Sequence, residues 1–90
     1  MTDEETTERC WLVERTYGDK NIVTLVYATP DGEYKHQRER PMSLLRQDPA
    51  TAAVDLPPAE LTPVEDEDER ERYVREAERL IDRKDPNEEV

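Results

Sequence analysis

Residues 22–29 form the most strongly β-type run in the chain, and the run is apolar on both of its sides. It reads Ile-Val-Thr-Leu-Val-Tyr-Ala-Thr, and β-branched and aromatic residues of this kind favour strands. Successive side chains of a strand point to opposite faces of a sheet. A strand with this pattern must be covered on both faces, and one helix can cover only one of them. The fold of this chain therefore needs a second covering element.

The segments on either side of this run complete an antiparallel meander. Residues 9–17 contain Cys-Trp-Leu-Val and precede a turn at residues 18–21. Residues 33–40 follow Pro-Asp-Gly at 30–32, in which Pro presets the first turn dihedral and Gly takes the left-handed position. Pairing the strands outward from these turns predicts the content of each sheet face. One face collects Trp11, Val13, Tyr17, Ile22, Val26, Ala28 and Tyr34, and the other collects Cys10, Leu12, Val23, Leu25 and Tyr27.

Two further segments can cover these faces. Residues 41–63 hold five prolines together with Leu44, Leu45, Val54, Leu56 and Leu61. We therefore expect a wrap across the sheet without long regular structure, with one helical turn near residues 43–46. A C-terminal helix is predicted to start at a capping box of Thr62 and Glu65, with Pro63 at the first helical position. Its apolar stripe, at helical spacing, consists of Tyr73, Val74, Ala77, Leu80 and Ile81.

The predicted fold class is α+β: a three-stranded antiparallel meander, a proline-rich wrapping segment and a C-terminal amphipathic helix. Ninety residues allow one domain, which we place at residues 9–84. Residues 1–8 and 85–90 are predicted to be disordered acidic tails.

The charge composition indicates the solvent for which the chain is suited. The net charge is −11, with 24 carboxylates against 13 basic residues, of which only Lys20, Lys35 and Lys84 are lysines. Self-repulsion at such a charge destabilises a compact state in dilute salt, and concentrated salt screens it. The composition is typical of proteins from salt-rich cells, although an ordinary acidic mesophilic protein is the alternative. An acidic start and the lack of a long apolar run favour a cytoplasmic protein without a membrane span.

The inventory of reactive side chains argues against an enzyme. Cys10, His36 and Ser43 are the only residues of their types, and there are two glycines, both in predicted turns. A metal site needs several convergent ligands, and nucleophilic catalysis needs a positioned base. Carboxylate pairs for acid–base chemistry cannot be distinguished among 24 carboxylates. We predict no catalytic residue, no metal site and no cofactor.

One segment runs against the acidic background. Between residues 34 and 46, Glu39 is the only acidic residue, and the candidate anion or nucleic-acid patch consists of Tyr34, Lys35, His36, Arg38, Arg40 and Arg46. Alternating aromatic and Arg side chains on one strand face are typical of surfaces that bind RNA or single strands. The alternative, which we favour here, is internal neutralisation by Glu14 or by the acidic helix. High salt also weakens phosphate contacts.

Taken whole, residues 9–83 resemble the short, acidic, uncharacterised proteins of haloarchaea that are described as domains of unknown function. The resemblance is carried by Cys-Trp-Leu-Val-Glu-Arg-Thr-Tyr at 10–17, Tyr-Ala-Thr-Pro-Asp-Gly-Glu at 27–33, Thr-Ala-Ala-Val at 51–54 and Glu-Arg-Tyr at 71–73. It implies no activity, cofactor or site residue.

The function expected from the sequence is therefore a non-catalytic interaction module of a halophilic cytoplasm. It would act through an unknown protein partner or by self-association. The alternative is a protein associated with RNA or single-stranded nucleic acid through the basic third strand. We favour a monomer over a homodimer, because the apolar residues of the wrap need a sheet face to cover.

Overall fold

The structure, a computed structural model, describes residues 6–90. The first part of the predicted N-terminal tail, residues 1–5, lies outside the described residues. The fold is α+β, as predicted, and it is built on an antiparallel sheet of five strands in the order β4-β1-β2-β3-β5. The strands are β1 (Glu8–Tyr17), β2 (Ile22–Ala28), β3 (Tyr34–Pro41), β4 (Ala53–Leu56) and β5 (Thr62–Pro63), and the helices are α1 (Met42–Gln47) and α2 (Glu67–Arg83).

The predicted meander forms the centre of this sheet, and both of its faces are covered. The helix face packs against α2, and its buried cluster contains Trp11, Val13, Val26, Ala28, Ala52, Ala53, Val64, Tyr73 and Ala77. The opposite face, called the wrap face below, buries Cys10, Leu12, Val23, Leu25, Tyr27 and Leu56. All five residues that the sequence assigned to this second face are in its cluster. The requirement for two covering elements is therefore confirmed.

A β-bulge in β1 corrects part of the predicted register. Leu12 lies opposite Tyr27, but the next paired residue is Glu14, opposite Val26, so that the strand register shifts at Val13. One extra residue exchanges the two faces for everything that follows in the strand. Tyr17 therefore lies opposite Val23 and is 62% exposed, whereas the unbulged pairing had placed it with the helix face.

The proline-rich segment covers the wrap face. Its helix α1 lies where one helical turn was predicted. Its two strands were not predicted: β4 pairs with residues 8–11 of β1, and β5 pairs with the start of β3. Leu56 is buried, and the segment packs further apolar side chains, including Met42, Leu45, Val54 and Leu61, against the same cluster. These strands are four and two residues long, which fits the limit that proline places on regular structure.

Helix α2 begins later than the capping box predicts. Its N-cap is Asp66, and Thr62 and Pro63 are in β5 opposite Lys35 and Tyr34. The chain stays extended here because Val64 is buried in the core and its N–H donates to the carbonyl of Glu33 at 2.9 Å. The apolar stripe of α2 faces the sheet as predicted, apart from Ile81, which is 47% exposed at the end of the helix.

Residues 85–90, predicted as a tail, lie against the sheet instead. The N–H groups of Ala52 and Ala53 donate to the carbonyls of Glu88 and Pro86, and the N–H of Val90 donates to Ala50. Val90 also packs against both buried clusters. The segment supplies backbone acceptors beside the short β4. The acidic composition of residues 85–90 does not indicate this packing. No helix within residues 6–90 is long and apolar enough to cross a membrane.

Candidate anion-binding face

The register of β3 divides the predicted basic patch between the two sheet faces. His36, Arg38 and Arg40 lie opposite Tyr27, Leu25 and Val23, so their side chains share the wrap face. Lys35 lies opposite Ala28 and shares the helix face. The alternation proposed from the sequence therefore holds for His36, Arg38 and Arg40, and it separates Lys35 from them.

Internal neutralisation, which the sequence analysis favoured for the patch, applies to Lys35. Its Nζ lies 3.3 Å from Glu69 Oε1 on α2. Glu14, the other predicted neutralising residue, pairs instead with Arg72 at 2.9 Å. Both ion pairs belong to the side of the sheet that α2 covers. The acidic helix thus neutralises one sheet face and leaves the other face untouched.

The arginines of the wrap face have no such partner. Among residues 6–90, the ion pairs use the cations of Arg9, Lys35, Arg72, Arg79 and Lys84. Arg38, Arg40 and Arg46 are absent from that set. Burying part of a guanidinium without a counter-ion is unfavourable. Arg38 and Arg40 are both half-buried, so their lack of a carboxylate partner has an energetic cost.

Arg38 is held by an aromatic ring and not by an anion. Its guanidinium carbon lies 5.2 Å from the centroid of the Tyr27 ring, a cation–π distance. Its Nε is buried and has no hydrogen-bond partner within the described part of the chain. Arg40 is also positioned by the protein, because its Nη1 donates to the carbonyl of Glu39 at 2.9 Å.

These two arginines line a recess between the sheet and α1. The recess has a volume of about 210 Å³. Leu25 and Tyr27 of β2 contribute to it from the sheet, Leu44 and Leu45 from α1, and the connection that follows α1 closes its side. The complete lining is Leu25, Tyr27, Arg38, Arg40, Leu44, Leu45, Asp48, Pro49, Ala50, Thr51 and Val54.

A second hollow continues the basic surface on the other side of Leu45. It has a volume of about 220 Å³ and contains Arg15 and Arg46 beside the exposed ring of Tyr17. Arg15 lies opposite Leu25 because of the β1 bulge, and its Nη1 donates to the main-chain oxygen of Val90 at 3.2 Å. We call Arg15, Arg38, Arg40 and Arg46 the arginine face. Sequence reasoning missed Arg15, since alternation without a bulge assigns it to the helix face.

Tyr34 and His36 lie outside the recess. Tyr34 is 46% exposed and lines a separate hollow with Pro58 and Leu61. Its predicted place on the helix face is wrong, because the neighbouring Lys35 lies opposite Ala28 on that face and successive side chains of a strand alternate. The Nδ1 of His36 is 3.1 Å from the carbonyl oxygen of Glu60. The predicted patch is therefore brought together only in part: Arg38 and Arg40 share the recess, Arg46 adjoins it, and Tyr34, Lys35 and His36 are placed elsewhere.

The electrostatic effect of the arginine face is visible at Tyr27. Burial raises the pKa of this tyrosine, and the charges of Arg38, Arg40 and Arg15 act in the opposite direction. The buried ring is thus a neutral floor beneath positive charge. It supports Arg38, but at 2% exposure it offers no surface on which a nucleobase could stack.

The other reactive side chains give no support for catalysis. Cys10 is fully buried, and desolvation raises the pKa of its thiol to about 11. A nucleophilic cysteine needs a lowered pKa and access to solvent. Within residues 6–90, no group of three or more His, Cys, Asp and Glu side chains is placed to hold a metal ion.

Comparison with known proteins gives one match. The model of a family of unknown function, DUF7967, matches residues 3–90. No curated protein and no solved structure matches the chain. The match extends beyond both ends of the resemblance drawn from the sequence, and its description names no activity.

Proposed function

Because the chain belongs to this family of unknown function, DUF7967, we propose a function from its geometry: the protein is a non-catalytic interaction module that holds an anionic segment of a partner protein on its arginine face. The observation that carries the proposal is the half-buried pair of Arg38 and Arg40 without a carboxylate partner among residues 6–90. In a chain of charge −11, internal acids are abundant. Guanidinium groups that pair with none of these internal carboxylates are suited to bind a carboxylate of another molecule.

A protein partner fits this surface better than a nucleic acid does. Single-strand binding combines a positive groove with aromatic platforms for the bases. Tyr27 is buried beneath Arg38, and Tyr34 faces a different hollow. The arginine pair also stands in a small recess that Leu44 and Leu45 line in part, which suits a side chain more than a phosphate backbone.

Nucleic acid remains the second candidate because of one observation. Tyr17 is 62% exposed and lines the same hollow as Arg15 and Arg46. This is an aromatic ring beside two cations on an accessible surface, which is the combination that single-strand binders use.

We further propose that the module acts as a monomer in the cytoplasm of a salt-rich cell. Support for the monomer comes from the two sheet faces, both of which are covered by the protein's own segments. Support for the salt-rich setting comes from the charge of −11 and the three lysines. Light scattering would test the monomer, with a concentration-independent dimer as the contrary result.

Fluorescence anisotropy with two labelled probes tests the main proposal. The probes are a short glutamate-rich peptide and a single-stranded oligouridine, each measured at about 0.15 M and about 3 M salt because screening separates general attraction from fitted contacts. The test variant is Arg38→Gln with Arg40→Gln. The control is Arg75→Gln with Arg83→Gln, which removes the same charge from exposed positions of α2.

We expect the peptide to bind the wild type and the control alike. The arginine-face variant should bind it at least about tenfold more weakly, since hydrogen bonds to charged groups are worth about 1.5–3 kcal/mol each. A wild type that does not bind the peptide in either salt would contradict the proposal. Oligouridine binding that Arg15→Gln with Arg46→Gln abolishes, without peptide binding, would establish the second candidate instead.

A further inference from the structure

The charged residues that line the recess beside α1 favour some anions over others. Its charged groups are two cations, Arg38 and Arg40, and one acid, the exposed Asp48. The acid forms no ion pair with either arginine in the described structure. Two positive charges and one negative charge leave a single positive charge for a ligand to neutralise. A group with one negative charge matches this balance, whereas a doubly charged phosphate would meet repulsion from Asp48.

Part of the remaining lining of the recess is apolar. Leu25 lies on its sheet side, and Leu44 and Leu45 stand on its helix side. Leu44 is 43% exposed, so a ligand that enters would cover apolar surface that now faces water. A free inorganic anion gains nothing from such walls. An anion on a hydrocarbon stem would bury the exposed surface of Leu44.

Volume limits the length of that stem. The recess is open on one side and has a volume of about 210 Å³, and each water of the liquid takes about 30 Å³. The space therefore suits a group of a few carbons with one carboxylate, which is the size of one side chain. Pockets for whole small-molecule ligands are usually larger, about 300–1,000 Å³.

The arginine geometry suits a carboxylate. The Arg38 guanidinium lies over the Tyr27 ring at a cation–π distance, and its planar fork of donors matches the two oxygens of a carboxylate. The hydrogen bond from Arg40 to Glu39 restrains the second cation. Both donors are thus positioned before a ligand arrives, which lowers the ordering cost of binding.

We propose that the recess is the anchor subsite of the module, and that it binds one carboxylate carried on a short apolar stem. The group is supplied by a glutamate side chain of the partner or by its C-terminal residue. This inference rests on the proposed function, since it names the chemical group that the partner inserts.

Nuclear magnetic resonance titration of the whole chain tests it, with 4-methylpentanoate as the probe. 4-Methylpentanamide has the same shape without the charge, and inorganic phosphate is a more highly charged anion without the stem. The signals to follow are the Arg38 Nε–H and the backbone amides of Leu44, Leu45 and Thr51. N-acetyl-leucine, its amide, and N-acetyl-glutamate with an amidated C-terminus distinguish a terminal carboxylate from a side-chain carboxylate.

We expect 4-methylpentanoate to shift these signals with saturation, and the amide to bind at least about tenfold more weakly. Arg38→Gln should reduce carboxylate affinity by a similar factor, and Arg38→Lys should restore part of it by returning the charge without the fork. Asp48→Asn should strengthen the binding of phosphate, and Arg75→Gln should change nothing. Far-ultraviolet circular dichroism of each variant shows that it is folded.

Three results would overturn the anchor subsite. The acid and the amide could bind equally well, the wild type could bind phosphate more tightly than 4-methylpentanoate, or the shifted signals could all belong to other surfaces. The two proposals fail separately. If the glutamate-rich peptide binds the arginine face but 4-methylpentanoate leaves the recess unshifted, the module stands and the anchor is wrong. If the small carboxylate binds and the peptide does not, the recess is a site for a free carboxylate and the module is wrong.

Discussion

Gly32 turns the chain between β2 and β3 with a φ of 72°, and it also lies against helix α2. A Cβ at this position would be 2.6 Å from the carbonyl oxygen of Arg70 and 2.9 Å from Val74 Cγ2. We expect Gly32→Ala to destabilise the protein by at least about 1–3 kcal/mol, because backbone strain alone costs that much and the contact with α2 adds to it. Urea denaturation at constant salt measures the change in the free energy of unfolding.

Gly18 is the matched control for this substitution. Its backbone is extended, with φ −108°, and the nearest atom to an added Cβ is 3.5 Å away. Gly18→Ala should therefore be neutral or slightly stabilising, since alanine restricts the unfolded chain. If both substitutions lowered the free energy of unfolding equally, neither the positive φ of Gly32 nor its contact with α2 would explain the destabilisation.

At the scale of the element, β4 decides whether the wrap face is covered. Leu56 is its buried side chain on this face, with 6% exposure, whereas Leu44 of α1 is 43% exposed. We expect Leu56→Ala to lower the free energy of unfolding by about 2–5 kcal/mol, the usual cost of removing a buried leucine side chain. Leu44→Ala should cost much less. Urea denaturation of both variants decides the point, and a small loss at Leu56 would mean that β4 contributes little to the core.

The charge of the whole molecule governs its response to salt. With a net charge of −11, we expect the melting temperature to rise between about 0.1 M and 3 M salt, because the Debye length falls from about 10 Å to less than 3 Å. Replacing the exposed Glu67, Glu71 and Glu78 by Gln removes three negative charges from α2 and should flatten the rise. Calorimetry measures both curves. A wild-type melting temperature that is flat or falls with salt would contradict the proposed salt-rich setting.

Local patterns in the sequence determined much of this fold. The three central strands, the second half of α2 and the five wrap-face residues of β1 and β2 follow from alternation or helical spacing over ten residues or fewer. The turn at 30–32 follows from its Pro-Asp-Gly residue types. Such patterns suffice because the burial of one face of a single element repeats with a fixed period. The cluster of arginines and the scarcity of lysine were also visible in the sequence alone.

Only the tertiary structure decided the candidate site. β4 and β5 are too short to carry a pattern of their own, and they form because β1 and β3 offer edges to residues distant in the chain. The bulge after Leu12 moved Arg15 and Tyr17 to the wrap face. Which carboxylate meets which cation depends on these long-range placements. The acids of α2 cover the helix face and neutralise Lys35, while Arg38 and Arg40 face the other way. The order of charges along the chain does not show which cations are neutralised, because the sheet separates the acids of α2 from Arg38 and Arg40.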